Sequence, residues 1–366
     1  MKDFERPFVN VLRSRLEEEA PLIQTVVGPR QVGKTTGLTQ ILDTWGGQSI
    51  YASADDVLGA SGSWIRERWQ EAQDKRPCLL VIDEIQKVDN WAETIKSLWD
   101  SQTSELGIKL VLLGSSSRKL QRGLTESLAG RFEQILVGHW SFEESNRIQE
   151  MSMDEYLKFG GYPGSYRFIH DEARWHDYLL NSIIEPVVNK DILSNALIKK
   201  PALFRQMFSI LASYPSQEMS LRKLLGQLQD RGNTDIIKNY LRLYEGAYLF
   251  RAIPKFSNQA FKVKTSSPKV IPLAPCFYNV VEQSEAKLPW VFESVVGAAL
   301  LRIYGDVYWW RDGNREVDFV YKHKGQLIAL EVKSGRKKTG KGLEAFIKKF
   351  PSAEARFITR DNFSTI

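Results

Sequence analysis

The chain contains two short segments, Gly28-Pro29-Arg30-Gln31-Val32-Gly33-Lys34-Thr35 and Leu79-Leu80-Val81-Ile82-Asp83-Glu84, whose residue types can hold and cleave a nucleoside triphosphate. The first fits G-x-x-x-x-G-K-[ST] at every position and follows the apolar run Leu22-Ile23-Gln24-Thr25-Val26-Val27, which reads as a buried strand. Gly28 and Gly33 allow backbone conformations that a Cβ forbids, so successive N–H groups can converge on a β-phosphate at the start of the next helix. Lys34 adds positive charge at the β- and γ-oxygens. The hydroxyl of Thr35 is a ligand for Mg²⁺, and Asp83, ending a second apolar strand, holds the same ion directly or through water. Glu84 then faces the γ-phosphate as base or orienter of the attacking water. The expected cofactors are ATP and Mg²⁺. The expected contact set is Gly28, Pro29, Arg30, Gln31, Val32, Gly33, Lys34, Thr35, Thr36 and Asp83, with Thr35 and Asp83 on the metal and Lys34 and Glu84 as catalytic groups. A plain glycine turn between strand and helix is the alternative, and it leaves the second segment unexplained.

Such a site needs a sheet to carry it. Residues 1–148 alternate strand-like runs, at 22–27, 49–52, 79–82, 109–113 and 133–137, with helical stretches, the pattern of a parallel sheet covered on both faces. Residues 149–215 show helical spacing (Tyr178-Leu179, Ile183-Ile184, Val187-Val188) broken by Gly160-Gly161-Tyr162-Pro163-Gly164, and read as a helical lid. Internal repeats and low-complexity tracts are absent from the sequence.

Composition narrows the classes. A chain of 366 residues has room for two to three domains at roughly 150 residues each. With 50 Lys+Arg against 44 Asp+Glu the net charge is +6 and the pI about 9.0, a mild excess compatible with a polyanionic partner. Cys78 and Cys276 are the two cysteines, without C-x-x-C, beside four scattered histidines, so neither a disulfide framework nor a zinc site is indicated. The N-terminus carries early acids without an apolar core segment, and no run of about eighteen apolar residues occurs. The expectation is a cytoplasmic protein with no membrane span.

Two later blocks hold further candidates. In 216–275, Ser220-Leu221-Arg222-Lys223-Leu224-Leu225 reads as a capped helix, Arg231-Gly232-Asn233 as a turn and residues 234–245 as a second helix, with Ile236, Ile237, Tyr240, Leu241 and Tyr244 inward and Lys238, Asn239 and Arg242 outward. A basic hairpin follows, with Arg251, Lys255, Lys262, Lys264 and Lys269 interleaved with Phe256 and Phe261. This reads as a winged helix whose outward face contacts DNA, against the alternative of a packing module with a solvated basic face. In 276–366, Glu293 lies in a helical stretch, while Arg315-Glu316-Val317-Asp318-Phe319-Val320 and Leu327-Ile328-Ala329-Leu330-Glu331-Val332-Lys333 alternate like paired strands. Asp318, Glu331 and Lys333, joined by Glu293, form a candidate nuclease site in which carboxylates hold Mg²⁺ against a phosphate and the lysine positions water. Arg336, Lys337, Lys338 and Lys341 follow as a basic stretch suited to a phosphate backbone. A salt-bridged hairpin beside a solvated charge run is the alternative.

The segment 28–35, Leu80-Val81-Ile82-Asp83-Glu84-Ile85-Gln86-Lys87-Val88, Ser127-Leu128-Ala129-Gly130-Arg131, Gly160-Gly161-Tyr162-Pro163 and Glu331-Val332-Lys333-Ser334-Gly335 together resemble the archaeal-type prokaryotic ATPases, over nearly the whole chain. In that family an AAA+ core is joined to a winged helix and a module similar to PD-(D/E)xK nucleases. The resemblance implies that Lys34 and Thr35 are Walker A residues and Asp83 and Glu84 the Walker B pair. It implies a sensor residue at the end of Leu112-Leu113-Gly114-Ser115-Ser116, either serine serving and Ser115 joining the nucleotide contacts. It also implies an arginine finger at Arg131, catalytic toward a neighbouring subunit, and hence a homo-oligomeric ring such as a hexamer. A local salt bridge is the other reading of Arg131. One departure is that Lys269-Val270-Ile271-Pro272-Leu273-Ala274-Pro275-Cys276 lacks the aspartate that family members usually show after the Ser-Pro-Lys turn.

The expected protein is thus an α/β P-loop AAA+ ATPase with helical lid, winged helix and C-terminal PD-(D/E)xK-like domain, which binds single-stranded, duplex or branched DNA and remodels or moves along it. The two competing classes are an ATP-dependent signalling switch acting on protein partners and an ATP-gated DNA nuclease.

Overall fold

The computed structural model describes residues 4–19, 22–101, 107–115, 118–193, 198, 200–228, 234–257, 267–282, 284–333 and 340–365. The chain divides into two units, Met1–Gly138 and His139–Ile366.

The first unit runs α1 (Pro7–Glu17), β1 (Ile23–Gly28), α2 (Lys34–Thr44), β2 (Gln48–Ser53), α3 (Gly62–Asp74), β3 (Cys78–Asp83), α4 (Trp91–Asp100), β4 (Ile108–Ser115), α5 (Arg118–Glu126) and β5 (Phe132–Leu136). All five strands are parallel, in the order β2-β3-β4-β1-β5. β1 and β3 are buried at every residue, because a strand in the middle of a parallel sheet has helices on both faces and cannot alternate apolar with polar. One core joins Ile23 and Val27 of β1, Leu80 and Ile82 of β3 and Leu110 and Leu112 of β4 to Ile65 and Trp69 of α3, Trp91 and Ile95 of α4 and Leu120 and Leu124 of α5. α1 packs against α2. The sequence expectation placed all five strands; β2, β3 and β4 run one or two residues further at each end, and β1 and β5 are displaced by one.

The second unit opens with α6 (Phe142–Gln149) and α7 (Met153–Phe159), each started by a serine and a glutamate that satisfy one another's end groups: Ser141 with Glu144, Ser152 with Glu155. The Gly160-Gly161-Tyr162-Pro163 turn that follows is interior. Tyr162 and Tyr166 are buried, the Tyr162 hydroxyl lies 3.0 Å from His139 Nε2, and the Gly161 N–H donates to the Tyr166 hydroxyl. Next come α8 (Glu172–Tyr178), which continues in π-helical turns at Leu179–Ile184 and Val187–Leu193, and α9 (Pro201–Ser213).

The chain then forms β6 (Gln217–Glu218), α10 (Leu221–Gln227), α11 (Thr234–Gly246), β7 (Phe250–Ile253) and β8 (Lys269–Pro272), the strands antiparallel in the order β6-β8-β7. Phe204 of α9 stacks on Tyr244 of α11 at 4.3 Å, and Phe250 meets Tyr244 edge-on at 5.6 Å. As the spacing predicts, Ile237, Tyr240, Leu241 and Tyr244 are buried while Lys238 and Arg242 face solvent. The hairpin departs from expectation at two residues. Lys269 is 1% exposed, so it belongs to the interior and not to a basic face. Phe256 packs into the C-terminal core, and its N–H donates to the Trp309 carbonyl. Lys262, Lys264 and Phe261 lie outside the described residues.

The last stretch is α12 (Cys276–Glu282), α13 (Leu288–Tyr304), β9 (Val307–Asp312), β10 (Arg315–His323), β11 (Gln326–Val332), α14 (Lys341–Lys349) and β12 (Glu354–Ile358). Its sheet order is β12-β11-β10-β9, with β12 parallel to β11 and the other neighbours antiparallel. β10 and β11 are closed by Lys324-Gly325, both at positive φ, the backbone that a tight twisted hairpin demands. α14 lays Leu343 and Phe346 on Trp310, Val317, Val320 and Ala329. Among the described residues no helix is long and apolar enough to cross a membrane.

Phe346 is fully buried and touches Trp310, Phe350 and Phe256 through its ring. Phe346→Ala is expected to destabilise the protein by about 3–5 kcal/mol, because those neighbours cannot collapse into the space. A lower urea midpoint at unchanged slope is the readout, and a shift below about 1 kcal/mol would contradict this packing.

Candidate nucleotide site and a second charged cluster

Parallel strands deliver their C-terminal ends to one edge of the sheet, where open α/β folds bind ligands. β1 ends at Gly28, which pairs in register with Ser115 at the end of β4. A Cβ on Gly28 would stand 2.0 Å from the Val137 carbonyl oxygen, so this position requires glycine through the close approach of another backbone. Gly33, at φ +93°, makes the left-handed turn into α2. Lys34 opens that helix, and its ammonium arches back to donate to the carbonyls of Gly28 (3.0 Å) and Pro29 (2.7 Å). A glycine-turned loop at the N-terminus of an eleven-residue helix, with an ammonium folded over it, is a donor set that fits phosphate.

Sequence reasoning missed the residue that braces this loop. Arg6 is buried and donates to the Val32 carbonyl at 2.7 Å and to the Gly138 carbonyl at 3.2 Å, tying the loop to the segment after β5. A lone arginine just ahead of a helix with an apolar face was the available signal.

Asp83 gathers three elements. Its Oδ2 accepts from the Thr35 hydroxyl of α2 (3.0 Å) and from the Tyr51 hydroxyl of β2 (2.8 Å), and its Oδ1 accepts from the Glu84 N–H (2.8 Å). Hydroxyl and carboxylate oxygens so placed suit a hard divalent cation such as Mg²⁺. Burial, then the bond and charge of Asp83, push the Tyr51 hydroxyl far up and keep it a donor. Tyr51 too went unnoticed in the sequence, thirty-two positions away from Asp83.

Glu84 sits in the left-handed region at φ +53°, which turns its side chain off the strand. Gln86 donates through Nε2 to Glu84 Oε2 at 2.5 Å and lies 3.2 Å from the Ser115 hydroxyl, linking the carboxylate to the end of β4. The buried Oε1 of Gln86 has no hydrogen-bond partner among the described residues. Burial raises the Glu84 carboxyl above its ordinary value, reinforced by Asp83 and partly offset by Arg30, Lys87 and Lys34. A raised carboxyl is a better proton acceptor near neutrality. Ser116 lies outside the described residues.

Arg131 is placed elsewhere. It stands just before β5, at the sheet edge opposite the loop, and five strand residues span roughly 17 Å. Its guanidinium forms a two-pronged ion pair with Asp100, at 2.6 and 2.8 Å. The local-salt-bridge reading therefore describes Arg131 within this chain, and a role at a nucleotide can only be toward another copy.

The C-terminal candidates do converge. Glu293 (α13), Asp318 (β10) and Glu331 (β11) are all under 5% exposed. A register break between Val317 and Val320 lets Asp318 accept from the Val332 N–H at 2.8 Å, and Lys333 pairs with Glu331 at 3.0 Å. Unforeseen is Lys269 of β8, whose ammonium lies 2.9 Å from Glu293, 3.0 Å from Glu316 and 3.9 Å from Asp318. Burial opposes its charge, but the three carboxylates outweigh that and hold its pKa above the usual lysine value. Burial likewise opposes the Glu316 carboxylate, yet Lys269 and Arg311 pull it down to about 2. A cleft of about 850 Å³ opens onto Glu293, Glu316, Asp318 and Glu331, with Lys223 and Arg311 on its wall. Lys238 and Arg242 are exposed on α11, Lys238 within 3.7 Å of Asp235, and Asn239 is half-buried. Arg336, Lys337 and Lys338 lie outside the described residues.

Comparison with known proteins bears on the family and fold of the first unit. Residues 21–146 match the family described as AAA domain, while 150–280 and 290–362 match two families each described as a domain of unknown function. The chain is 25% identical over 336 residues to the uncharacterized protein MJ1544 of Methanocaldococcus jannaschii, covering 84% of this chain and 74% of that one. Its fold is similar to that of the Walker-type ATPase PABY2304 of Pyrococcus abyssi, with a TM-score of 0.52 and 14% identity over 76% of this chain and 95% of the other. The N-terminal unit carries a P-loop ATPase domain of the AAA type.

Two substitutions test this geometry. Gly28→Ala is expected to abolish nucleotide binding, since its Cβ meets a backbone oxygen; retained binding of a fluorescent nucleotide would refute the close approach. Gln86→Leu leaves Glu84 unaimed and is expected to lower kcat by about ten- to a hundredfold with KM little changed. An unchanged kcat would show that Gln86 only packs.

Proposed function

We propose that this chain hydrolyses ATP with Mg²⁺ and couples the cycle to DNA held by its C-terminal unit, working as a ring of identical subunits. The observation that carries the hydrolysis is the chain of contacts from Thr35 through Asp83 to Glu84 and Gln86, which sets a metal-ligand pair beside a positioned carboxylate. Bound MgATP would supply an electrophilic phosphorus with its charge clamped by the cation. Lys34 would exchange its loop carbonyls for the β- and γ-oxygens, and Thr35 and Asp83 would hold the metal. Glu84, aimed by Gln86, orients the water and takes its proton. Arg131, too far from its own site, serves the neighbour's, which calls for release from Asp100.

Support for DNA comes from the order α9-β6-α10-α11-β7-β8 with its β6-β8-β7 sheet, which favours reading this block as a winged helix. The second helix of that pair presents Lys238 and Arg242 to solvent, the charge a phosphate backbone would meet. The α13-β9-β10-β11-α14-β12 order favours reading the last domain as PD-(D/E)xK-like.

Lys34→Ala is expected to abolish ATP binding or turnover, and Glu84→Gln to bind ATP while losing about a hundredfold or more of hydrolysis. Full turnover in Glu84→Gln would remove Glu84 from the chemistry. The base works deprotonated, so hydrolysis should hold at neutral pH and fall as pH drops through the raised Glu84 pKa. The acid limb of kcat/KM, which reports the free enzyme, should thus lie above the ordinary glutamate value of 4.5. For the coupling, Glu84→Gln with ATP and Mg²⁺ is titrated with single-stranded, duplex and branched DNA over a salt series, the slope counting about 0.7–0.9 per phosphate contact. ATP-dependent binding and stimulated wild-type hydrolysis support the proposal. Neither effect on any DNA would move the reading to a switch acting on protein partners.

A further inference from the structure

We infer that the ammonium of Lys269 is the resident cation of the acidic cluster formed by Glu293, Glu316 and Asp318, closing that cluster to a divalent metal. The last domain is then a fixed ionic core and not a metal-dependent phosphodiesterase.

The geometry is specific. Lys269 opens β8, pairs in register with Glu218 of β6 and Ile253 of β7, and projects its side chain to α13 and β10. Its Nζ stands within 3.0 Å of two carboxylates, at hydrogen-bonding distance, and 3.9 Å from the third, an ion-pair distance. The rings of Trp309 and Phe319 lie 5.9 and 5.7 Å from the same nitrogen. Aromatic faces stabilise an ammonium and offer no oxygen to Mg²⁺ or Mn²⁺, which keep several oxygen ligands and give up water reluctantly. Further oxygens around it are engaged: Asp318 accepts from the Val332 N–H, Glu331 is paired to Lys333, and Glu316 bonds Arg311. Among the described residues no three His, Cys, Asp or Glu side chains form a group able to hold a metal ion. Carboxylates that could anchor a catalytic metal instead anchor β8 to α13 and β10. The inference does not depend on whether the unit holds DNA.

The test uses the full chain with Asp83→Asn, which removes the metal pair of the nucleotide site, and follows Mn²⁺ by the EPR signal of the free ion. With Lys269 intact, no bound Mn²⁺ that depends on Asp318 is expected at millimolar metal. Lys269→Met should create one Mn²⁺ site per chain, lost again on adding Asp318→Asn. Bound Mn²⁺ in the Lys269 protein that vanishes with Asp318→Asn would overturn the inference. So would Mn²⁺-dependent DNA nicking by the wild type that is lost in Asp318→Ala, or a folded Lys269→Met protein that gains no site. Should Lys269→Met fail to fold, the Lys269 protein and its Asp318→Asn partner still decide.

Discussion

The two oxygens of Asp83 hold three elements of the N-terminal unit to one point. One takes the hydroxyls of Thr35 and Tyr51, and the other takes the N–H of Glu84. Each bond comes from a different element, so the helix after the loop, the edge strand β2 and the turn after β3 are aligned by one carboxylate. The parallel register does the rest, because it brings Gly28 and Ser115 to the same edge. Lys34 and the Glu84–Gln86 pair stand at that same edge. A sheet with β3 reversed would put Asp83 at the far edge and leave Thr35 without its neighbour.

The C-terminal unit is organised by charge as well as by apolar packing. Lys269, fully buried, would be costly alone, and its three carboxylates would be costly without it. Together they join β8, α13 and β10 at a place where side-chain packing alone would permit several arrangements. Removing either sign leaves the other uncompensated, so the cluster stands or falls as a group.

How much of this was readable in the sequence depended on whether the signal was local. The loop 28–35 and the run ending in Asp83 carry their chemistry in consecutive residues, and β3 and β4 announce themselves by the apolar runs 79–82 and 110–113. The inward stripe of α11 followed from helical spacing. Arg6, Tyr51 and Lys269 act on partners 26, 32 and 24 positions away, and their roles arise only when the sheets form. Lys269 misled for a physical reason: a lysine between a turn and a β-run looks like an exposed cation, and nothing nearby in sequence shows the carboxylates that bury it. Glu293, Asp318 and Glu331 line one cleft, but grouping acids does not tell which cation they enclose.

The ammonium of Lys34, bonded to Gly28 and Pro29, has a consequence for binding thermodynamics. Those two bonds, with Arg6 on Val32, keep the loop in its ring form by means internal to the chain. Little backbone entropy is then left to lose when an anion enters, and the enthalpy gained is reduced by the carbonyl bonds that Lys34 gives up. Polyphosphate that reaches the ammonium compensates for that exchange, whereas a nucleoside or monophosphate that does not reach it leaves the lysine where it was. A loop held this way would discriminate by the length of the phosphate chain, through a contact the protein makes with itself.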